Sequence, residues 1–418
     1  MPEHSTTVRD VAALKVARVG RVEKSDDPLR PFRLVDADGT EVAAVSEFLH
    51  HMLADDASPT SLRSYAYELL AWVRFLRAVD VPWHLASRVE ARDFALWLKT
   101  TKKPPRRRRP DAPAPGSVNP VTGKAVPGEN YAARTRRHAR AVIRSFYEYH
   151  REAHGRPLIN PFPQGGAADE ESRNAHHNPM QPFWPPSRRG TYQPKEPKPT
   201  PRIIPDQAFN DLFAGLKYNR DRALIAFYIS TGARASELLG VPQGLVAPGD
   251  QTIGVVRKGS QVLQHLPASA DAFVWLRLYQ QELRGMISKH PSEPLWWTLR
   301  RPFRPLGYDA ARMVFTRANQ LLGANWTLHD LRHSAAKRMV RDPNLTLADV
   351  QWVMGHAHIT TTEIYVAPTP DEVVAHVLAH HERQRTEQTK PPAAPAPGYR
   401  PEVMAALFGT STADGESQ

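Results

Sequence analysis

The chain has 418 residues, long enough for two or three domains, and its 41% hydrophobic and 23% charged residues are those of a globular protein and argue against a disordered one. Cysteine is absent, which excludes disulfides, thiolate zinc sites and cysteine nucleophiles together. Lys plus Arg number 55 against 43 Asp plus Glu, a formal charge of +12, which fits either a polyanionic partner or a soluble protein that is simply basic. Met1-Pro2-Glu3-His4 lacks a basic-then-apolar leader pattern, and no apolar run nears the ~20 residues of a bilayer span, so a cytoplasmic location is expected.

Residues 1–40 are polar and mixed in charge and read as a loosely held N-terminal arm, with one strand-like stretch, Phe32-Arg33-Leu34-Val35, before the turn Asp36-Ala37-Asp38-Gly39. After Ser58-Pro59-Thr60, the residues Leu62, Tyr65, Leu69, Trp72, Val73 and Leu76 recur at helical spacing and predict a strong amphipathic helix. Val89 to Lys99 predicts another, with Phe94, Trp97 and Leu98 inward. Residues 101–128 hold Lys102, Lys103 and the run Arg106 to Arg109 among prolines and glycines, and read as a loop or insertion that either grips phosphates or is merely solvated. Helical pattern resumes near Tyr131, with Ala139, Val142, Ile143, Phe146 and Tyr147 on one side and Arg134, Arg136, Arg137, Arg140 and Arg144 on the rest. These elements together predict a helical domain over 41–165.

Residues 166–200 are rich in proline, including Pro182-Phe183-Trp184-Pro185-Pro186, and read as an extended linker. Globular pattern returns with a helix opening at Pro205-Asp206 and a second running from Asp221 through Leu224, Ile225, Phe227 and Tyr228 to Thr231-Gly232. Thr252 to Val256 and Gln261 to Leu266 predict two short strands around Lys258-Gly259. Helical stretches dominate to the end of a second domain over 201–385, and a Pro- and Ala-rich tail fills 386–418.

Four separated segments of the second domain carry cationic or proton-transferring groups. Arg234 follows a glycine turn in Thr231-Gly232-Ala233-Arg234-Ala235-Ser236-Glu237-Leu238, and Lys258 sits at a hairpin tip beside Gly259. His329 and Arg332 lie three apart in Leu328-His329-Asp330-Leu331-Arg332-His333, a spacing that shares a helix face. Gly355-His356 precedes Thr362-Glu363-Ile364-Tyr365. The set suits phosphodiester chemistry. Forked guanidiniums can neutralise non-bridging oxygens. A tyrosine hydroxyl, with a pKa near ~10, can attack phosphorus if helped. A lysine can protonate a leaving oxygen. No carboxylate cluster suited to a Mg²⁺ pair is evident.

These boxes, in this order, resemble those of the tyrosine recombinase (phage integrase) family: T-G-x-R-x-x-E-L, a hairpin Lys beside Gly, H-x-x-R, and G-H followed by T-x-x-Y. Arg144-Ser145-Phe146-Tyr147 and Ile159-Asn160-Pro161-Phe162 also resemble the end of that family's core-binding domain. The resemblance implies a mainly helical fold with a small antiparallel sheet, a helical core-binding domain and an integrase-type catalytic domain forming a C-shaped clamp on duplex DNA. It implies a site-specific recombinase working as a tetramer on two DNA sites, with an accessory DNA-bending or partner recombinase in some systems, and with no cofactor or metal. It assigns Tyr365 as nucleophile forming a 3′-phosphotyrosyl bond, Arg234 and Arg332 as phosphate clamps, Lys258 as the acid for the 5′-oxygen, His329 as acceptor or relay of the tyrosine proton, and His356 as a donor to the phosphate. The alternatives are type IB topoisomerase-like relaxation and a non-catalytic DNA-binding protein.

Other features carry plainer readings. Arg257 is set aside in favour of Lys258, His333 is read as a packing or supporting residue, and Tyr399 lies in the tail. His176-His177 and the group His376, His380 and His381 lack an accompanying acidic or thiolate set. Val373, Val374, Val377 and Leu378 form an apolar stripe, expected either to pack on its own domain or, by the resemblance, to dock on a neighbouring subunit.

Overall fold

The computed structural model describes residues 9–104, 112–163, 192, 194, 201–368, 370–388 and 401–408. Arg106 to Arg109, His176-His177, Phe183, Trp184 and Tyr399 lie outside the described residues, as does nearly all of the expected linker. The chain divides into two compact units, Met1–Pro199 with Gly323–Asn325, and Thr200–Leu322 with Trp326–Gln418. No described helix is long and apolar enough to cross a membrane.

Among the described residues, the first unit is built on four α-helices, α1 (Ala43–Ala54), α2 (Pro59–Ala78), α3 (Arg88–Thr100) and α4 (Ala133–His154). Local chemistry sets their ends. The Ser58 hydroxyl accepts the Ser61 N–H and Pro59 opens α2. Ser87 and Glu90 form a reciprocal capping box on α3, and Gly155, at φ 65°, closes α4. Of the predicted α2 stripe, Leu62, Leu69, Trp72 and Leu76 are buried, together with Phe75, against Phe94, Leu98, Val142, Ile143, Phe146 and Tyr147, while Tyr65 and Val73 are half-buried. Trp72 is central. Its indole N–H donates to Tyr147 Oη at 3.1 Å, and Tyr147 donates onward to the Trp83 carbonyl at 2.6 Å, so neither buried polar atom is left unpaired.

Two expectations for this unit are corrected. The stretch before Phe32, read as a loose arm, supplies β1 (Arg21–Lys24), which pairs antiparallel with β2 (Phe32–Val35), the strand the sequence predicts, and Leu34 of β2 is fully buried in the core. Arg74 of α2 fastens the entry to the hairpin through the carbonyls of Val19 and Gly20, and Arg9 pairs with Glu90 and Asp93. Four residues with a single apolar position, Val22, leave β1 too little alternation for a sequence pattern to register. Nor are all the α4 arginines on the surface. Arg140 is buried and donates to the Pro163 carbonyl at 3.0 Å. Of the basic loop, the described part is ordered about a turn in which Val118 bridges Ala125 and the Asn119 carboxamide accepts two backbone N–H groups.

The second unit centres on α6 (Asn219–Thr231), whose Ala223, Leu224, Ile225, Phe227 and Tyr228 are all buried, with α5 (Asp206–Ala214) before it. A helix buried on several faces needs neighbours on each; α8 (Ala270–Glu282) and α10 (Leu328–Arg341) supply two of them. Short α7 (Ala235–Leu239) leads to a three-stranded antiparallel sheet ordered β3 (Val246–Ala247), β4 (Thr252–Val256), β5 (Leu263–Pro267). The β4–β5 register pairs Val256 with Leu263, leaving Arg257 to Val262 as the hairpin tip. The remaining helices are α9 (Tyr308–Leu321), α11 (Leu347–Met354), α12 (Thr360–Glu363), α13 (Pro370–Gln388) and α14 (Pro401–Phe408). The entry segment 202–204 docks on α10: Ile204 N–H donates to Ser334 Oγ, and Arg202 reaches Asp330, the N3 residue of the α10 capping box. On α13, Val373, Val374, Val377 and Leu378 stay exposed, so the stripe does not pack on its own unit.

Candidate active site

The loop between α6 and α7 is shaped by its own sequence. Thr231 Oγ1 donates to the Phe227 carbonyl and accepts the Ala233 N–H, and Gly232 turns the chain at φ 61°. A Cβ at Gly232 would lie 2.7 Å from Met354 Sδ, so glycine is required for space as well as for conformation. The turn delivers Arg234 to the N-cap of α7.

Glu237, one turn on, is the hub. Its buried carboxylate accepts the Arg234 N–H at 2.9 Å, the Arg234 guanidinium at 2.7 Å, the Arg257 guanidinium at 3.1 Å and the Lys258 N–H at 3.0 Å. One acidic side chain thus fixes both Arg234 and the hairpin carrying Lys258, whose own side chain is exposed. Burial would raise the Glu237 pKa, but the hydrogen bonds from Arg234 and Lys258 outweigh it and hold the carboxyl below its ordinary value. A depressed carboxyl pKa contributes stability above the unfolded value, about 4.5, which is lost as pH falls through the lower folded value. Urea unfolding of wild type and Glu237→Gln from about pH 3 to 7 is expected to show this acid-side loss in the wild type only. Glu237→Ala, which strands the buried Arg257 charge, should lose about 3–5 kcal/mol at neutral pH.

Arg257, set aside on sequence grounds, is a structural strut and only 5% exposed. Besides Glu237 it donates to Gln264 Oε1 at 2.6 Å and to the carbonyls of Trp352 and Val353 at the end of α11. It passes directly beside Gly355, which sits at φ 59°; a Cβ there would stand 3.0 Å from the guanidinium. Gly355→Ala therefore combines left-handed strain with a clash against a side chain that has no room to retreat. A loss of about 1–3 kcal/mol is expected, read as a lower urea midpoint.

Arg332 is 4% exposed and donates to the Gly232 carbonyl and the Met354 carbonyl, both at 2.6 Å, and to His356 Nε2 at 3.1 Å. Arg234 reaches the next carbonyl, Gly355, at 3.4 Å, so the two guanidiniums meet consecutive peptide groups. Burial, with the Arg234 charge adding to it, brings Arg332 down to about 10, which leaves it cationic at neutral pH. Arginine can only donate, so His356 Nε2 accepts and Nδ1–H donates to Thr362 Oγ1 at 2.9 Å. Burial and the nearby Arg332, Arg234 and Arg257 charges push His356 down to about 4, so it is neutral.

Tyr365 is 3% exposed, and its ring stacks parallel to that of His356 with centroids 6.3 Å apart. The hydroxyl meets His333 Nδ1 at 2.7 Å. His329, to which the resemblance gives the tyrosine proton, is exposed one turn earlier on α10, its ring edge-on to His333 at 4.2 Å. The structure thus places His333, read from sequence as a supporting residue, at the hydroxyl. Burial brings His333 to about 4 and raises Tyr365, so both are neutral at pH 7. Lys337, one turn after His333 and also buried, donates to the backbone carbonyls of Tyr365 and Ala367 at 3.0 and 2.9 Å and pins the tyrosine segment from beneath. Arg234, Arg332, His356 and Tyr365 are brought together, with the Lys258 backbone tied in through Glu237. Lys337 and Thr362 are additions; the signals for them were a lysine following Ser334-Ala335-Ala336 on a buried face and the threonine three before Tyr365.

Residues 204–372 match the phage integrase family model. Curated relatives include the tyrosine recombinase XerD of Pseudomonas aeruginosa, 28% identical over 41% of this chain and 59% of the relative, and XerD of Corynebacterium glutamicum, 31% identical over 37% and 50%. The chain thus spans between half and three-fifths of the length of these two. Among solved structures, a lambda integrase dimer bound to a COC′ core site aligns with a TM-score of 0.51 and 14% identity, covering 77% of this chain and 76% of that one. The Tn1549 transposon integrase in complex with transposon right end DNA aligns at 0.51 and 14%, covering 80% and 98%. At these identities the likeness is one of fold.

Proposed function

We propose that the chain, whose residues 204–372 match the phage integrase family model, is a site-specific DNA recombinase of the tyrosine recombinase family, of integrase or transposase type, that acts through Tyr365. The observation that carries this is the convergence of Arg234 and Arg332 on the Met354–Gly355 backbone, with His356 and the Tyr365 ring stacked beside them. A scissile phosphate entering there would exchange carbonyl partners for its own anionic oxygens, a stronger match for guanidinium donors.

Tyr365 Oη attacks phosphorus, the bond to the 5′-oxygen breaks, and a 3′-phosphotyrosyl link forms. Lys258, exposed at its hairpin tip, supplies the proton to the leaving 5′-oxygen. His333 takes the tyrosine proton, because its Nδ1 already holds the hydroxyl; His329 backs the His333 ring. His356 turns from Arg332 to the phosphate. A 5′-hydroxyl from another strand then reverses the step. One phosphodiester is exchanged for another, so no external energy source is needed. With Tyr365 buried, its segment must shift toward solvent before attack. Duplex DNA carrying a defined site is the substrate, bound largely through phosphate contacts, and a tetramer on two sites is the expected working assembly.

Covalent trapping tests the reading. Protein incubated with DNA that includes the borders of its own gene and quenched with detergent should yield adducts at one inverted-repeat site, and two such sites should recombine. Scattered adducts with relaxation of any supercoiled plasmid would move the assignment to a topoisomerase-like enzyme. Binding with no adduct would leave a DNA-binding protein.

A further inference from the structure

Away from this site, in the first unit, Glu47 on α1 faces His150 and His154 on α4. One ligand-capable atom from each lies within 4.8 Å of the others, and among the described residues this is the one group of three such side chains. His154 Nε2 meets Glu47 Oε1 at 2.6 Å. His150 is 2% exposed, and its orientation is fixed by Nε2 against the Ala44 carbonyl at 3.0 Å. Tyr149 Oη donates to Glu47 Oε1 at 3.2 Å, a contact of the kind that orients a ligating carboxylate. His51, one turn after Glu47, faces Asp55 and stacks on Tyr149 instead.

We propose that Glu47, His150 and His154 bind a divalent transition metal, with Zn²⁺ the best chemical match, as a clamp joining α1 to the last turns of α4. Two imidazoles one helical turn apart with a carboxylate from a facing helix form a nitrogen and oxygen set that suits zinc. Around zinc, ligand atoms about 2.0–2.2 Å from the ion stand roughly 3.3–3.6 Å from one another. The widest gap, up to 4.8 Å, must therefore close by about 1.2–1.5 Å and the 2.6 Å Glu47–His154 contact must open by about 0.7–1.0 Å, movements open to the two exposed side chains, Glu47 and His154, at 44% and 48% exposure. The ion takes no part in strand transfer; it fixes the helix that carries the arginine row.

Zn²⁺ titration of the full chain by calorimetry, together with thermal unfolding, tests this. One Zn²⁺ per chain and a rise in Tm of about 4 °C or more at saturation are expected. Glu47→Gln and His154→Ala, both at exposed positions that should not prevent folding, should each bind at least about tenfold more weakly and lose the Tm rise. A double His376→Ala, His380→Ala variant, which removes the exposed pair on α13, should bind as the wild type does. No saturable binding in the wild type, binding untouched by Glu47→Gln and His154→Ala, or binding lost only in the α13 variant would each overturn the proposal.

Discussion

Tyr365→Phe is expected to abolish covalent DNA capture and strand exchange, a drop of about 10⁴-fold or more, while DNA affinity stays within about threefold. The substitution removes one oxygen from a buried ring and keeps the stack on His356. It also leaves His333 Nδ1 without its hydroxyl partner, a loss of about 1 kcal/mol that should lower the urea midpoint only slightly. Activity and stability therefore separate: a folded, DNA-binding, inert variant. Gel-shift titration, detergent-quenched trapping and urea unfolding on the same preparation check all three. Residual cleavage near the wild-type rate would place the nucleophile elsewhere.

Arg332→Lys is expected to lower the cleavage rate by about 10²–10³-fold, although charge is retained. Lysine offers a point charge where the site uses a planar fork, with one branch on Gly232 O and the other shared between Met354 O and His356. Hydrogen bonds to a charged group are each worth about 1.5–3 kcal/mol, so this variant should also be less stable. Arg234→Lys provides the control for that coupling. Its side chain is one-third exposed, and its main tie is to Glu237, which keeps Arg257 as a partner. It should lose cleavage by a similar factor with a smaller loss of stability. Single-turnover cleavage at saturating protein, compared with unfolding midpoints, separates the two effects; equal stability loss in both variants with unchanged cleavage would remove the arginines from the chemistry.

The parts of the second unit that were legible are locally punctuated. Thr231-Gly232 closes α6 and Lys258-Gly259 marks the hairpin tip, each by a local rule that needs no tertiary information. The long α2 stripe likewise announced the core of the first unit. Tertiary partnership was not legible. Arg257 and Lys258 are adjacent in sequence, yet the pleat sends the first into the core and the second to solvent, and only the position of Glu237 explains why. His329 and His333 lie one turn apart on the same helix, so spacing alone could not say which would meet a tyrosine 32 residues later. The strand Phe32–Val35 was legible, but its partner β1 was missed, because the packing of that hairpin depends on α1 and α2 being in place. Glu47, His150 and His154 were invisible as a group, because a pair on one helix and a single residue about a hundred positions away form no motif.

Peptide mapping of the trapped adduct reads directly whether Tyr365 carries the covalent bond between protein and DNA. Digestion of the covalent complex with protease and nuclease, followed by mass spectrometry, should yield one nucleotide-bearing peptide, with the phosphate on the Tyr365 side chain and joined to a 3′-terminal nucleotide. A phosphate on another residue, or a 5′-linked nucleotide at Tyr365, would contradict the account.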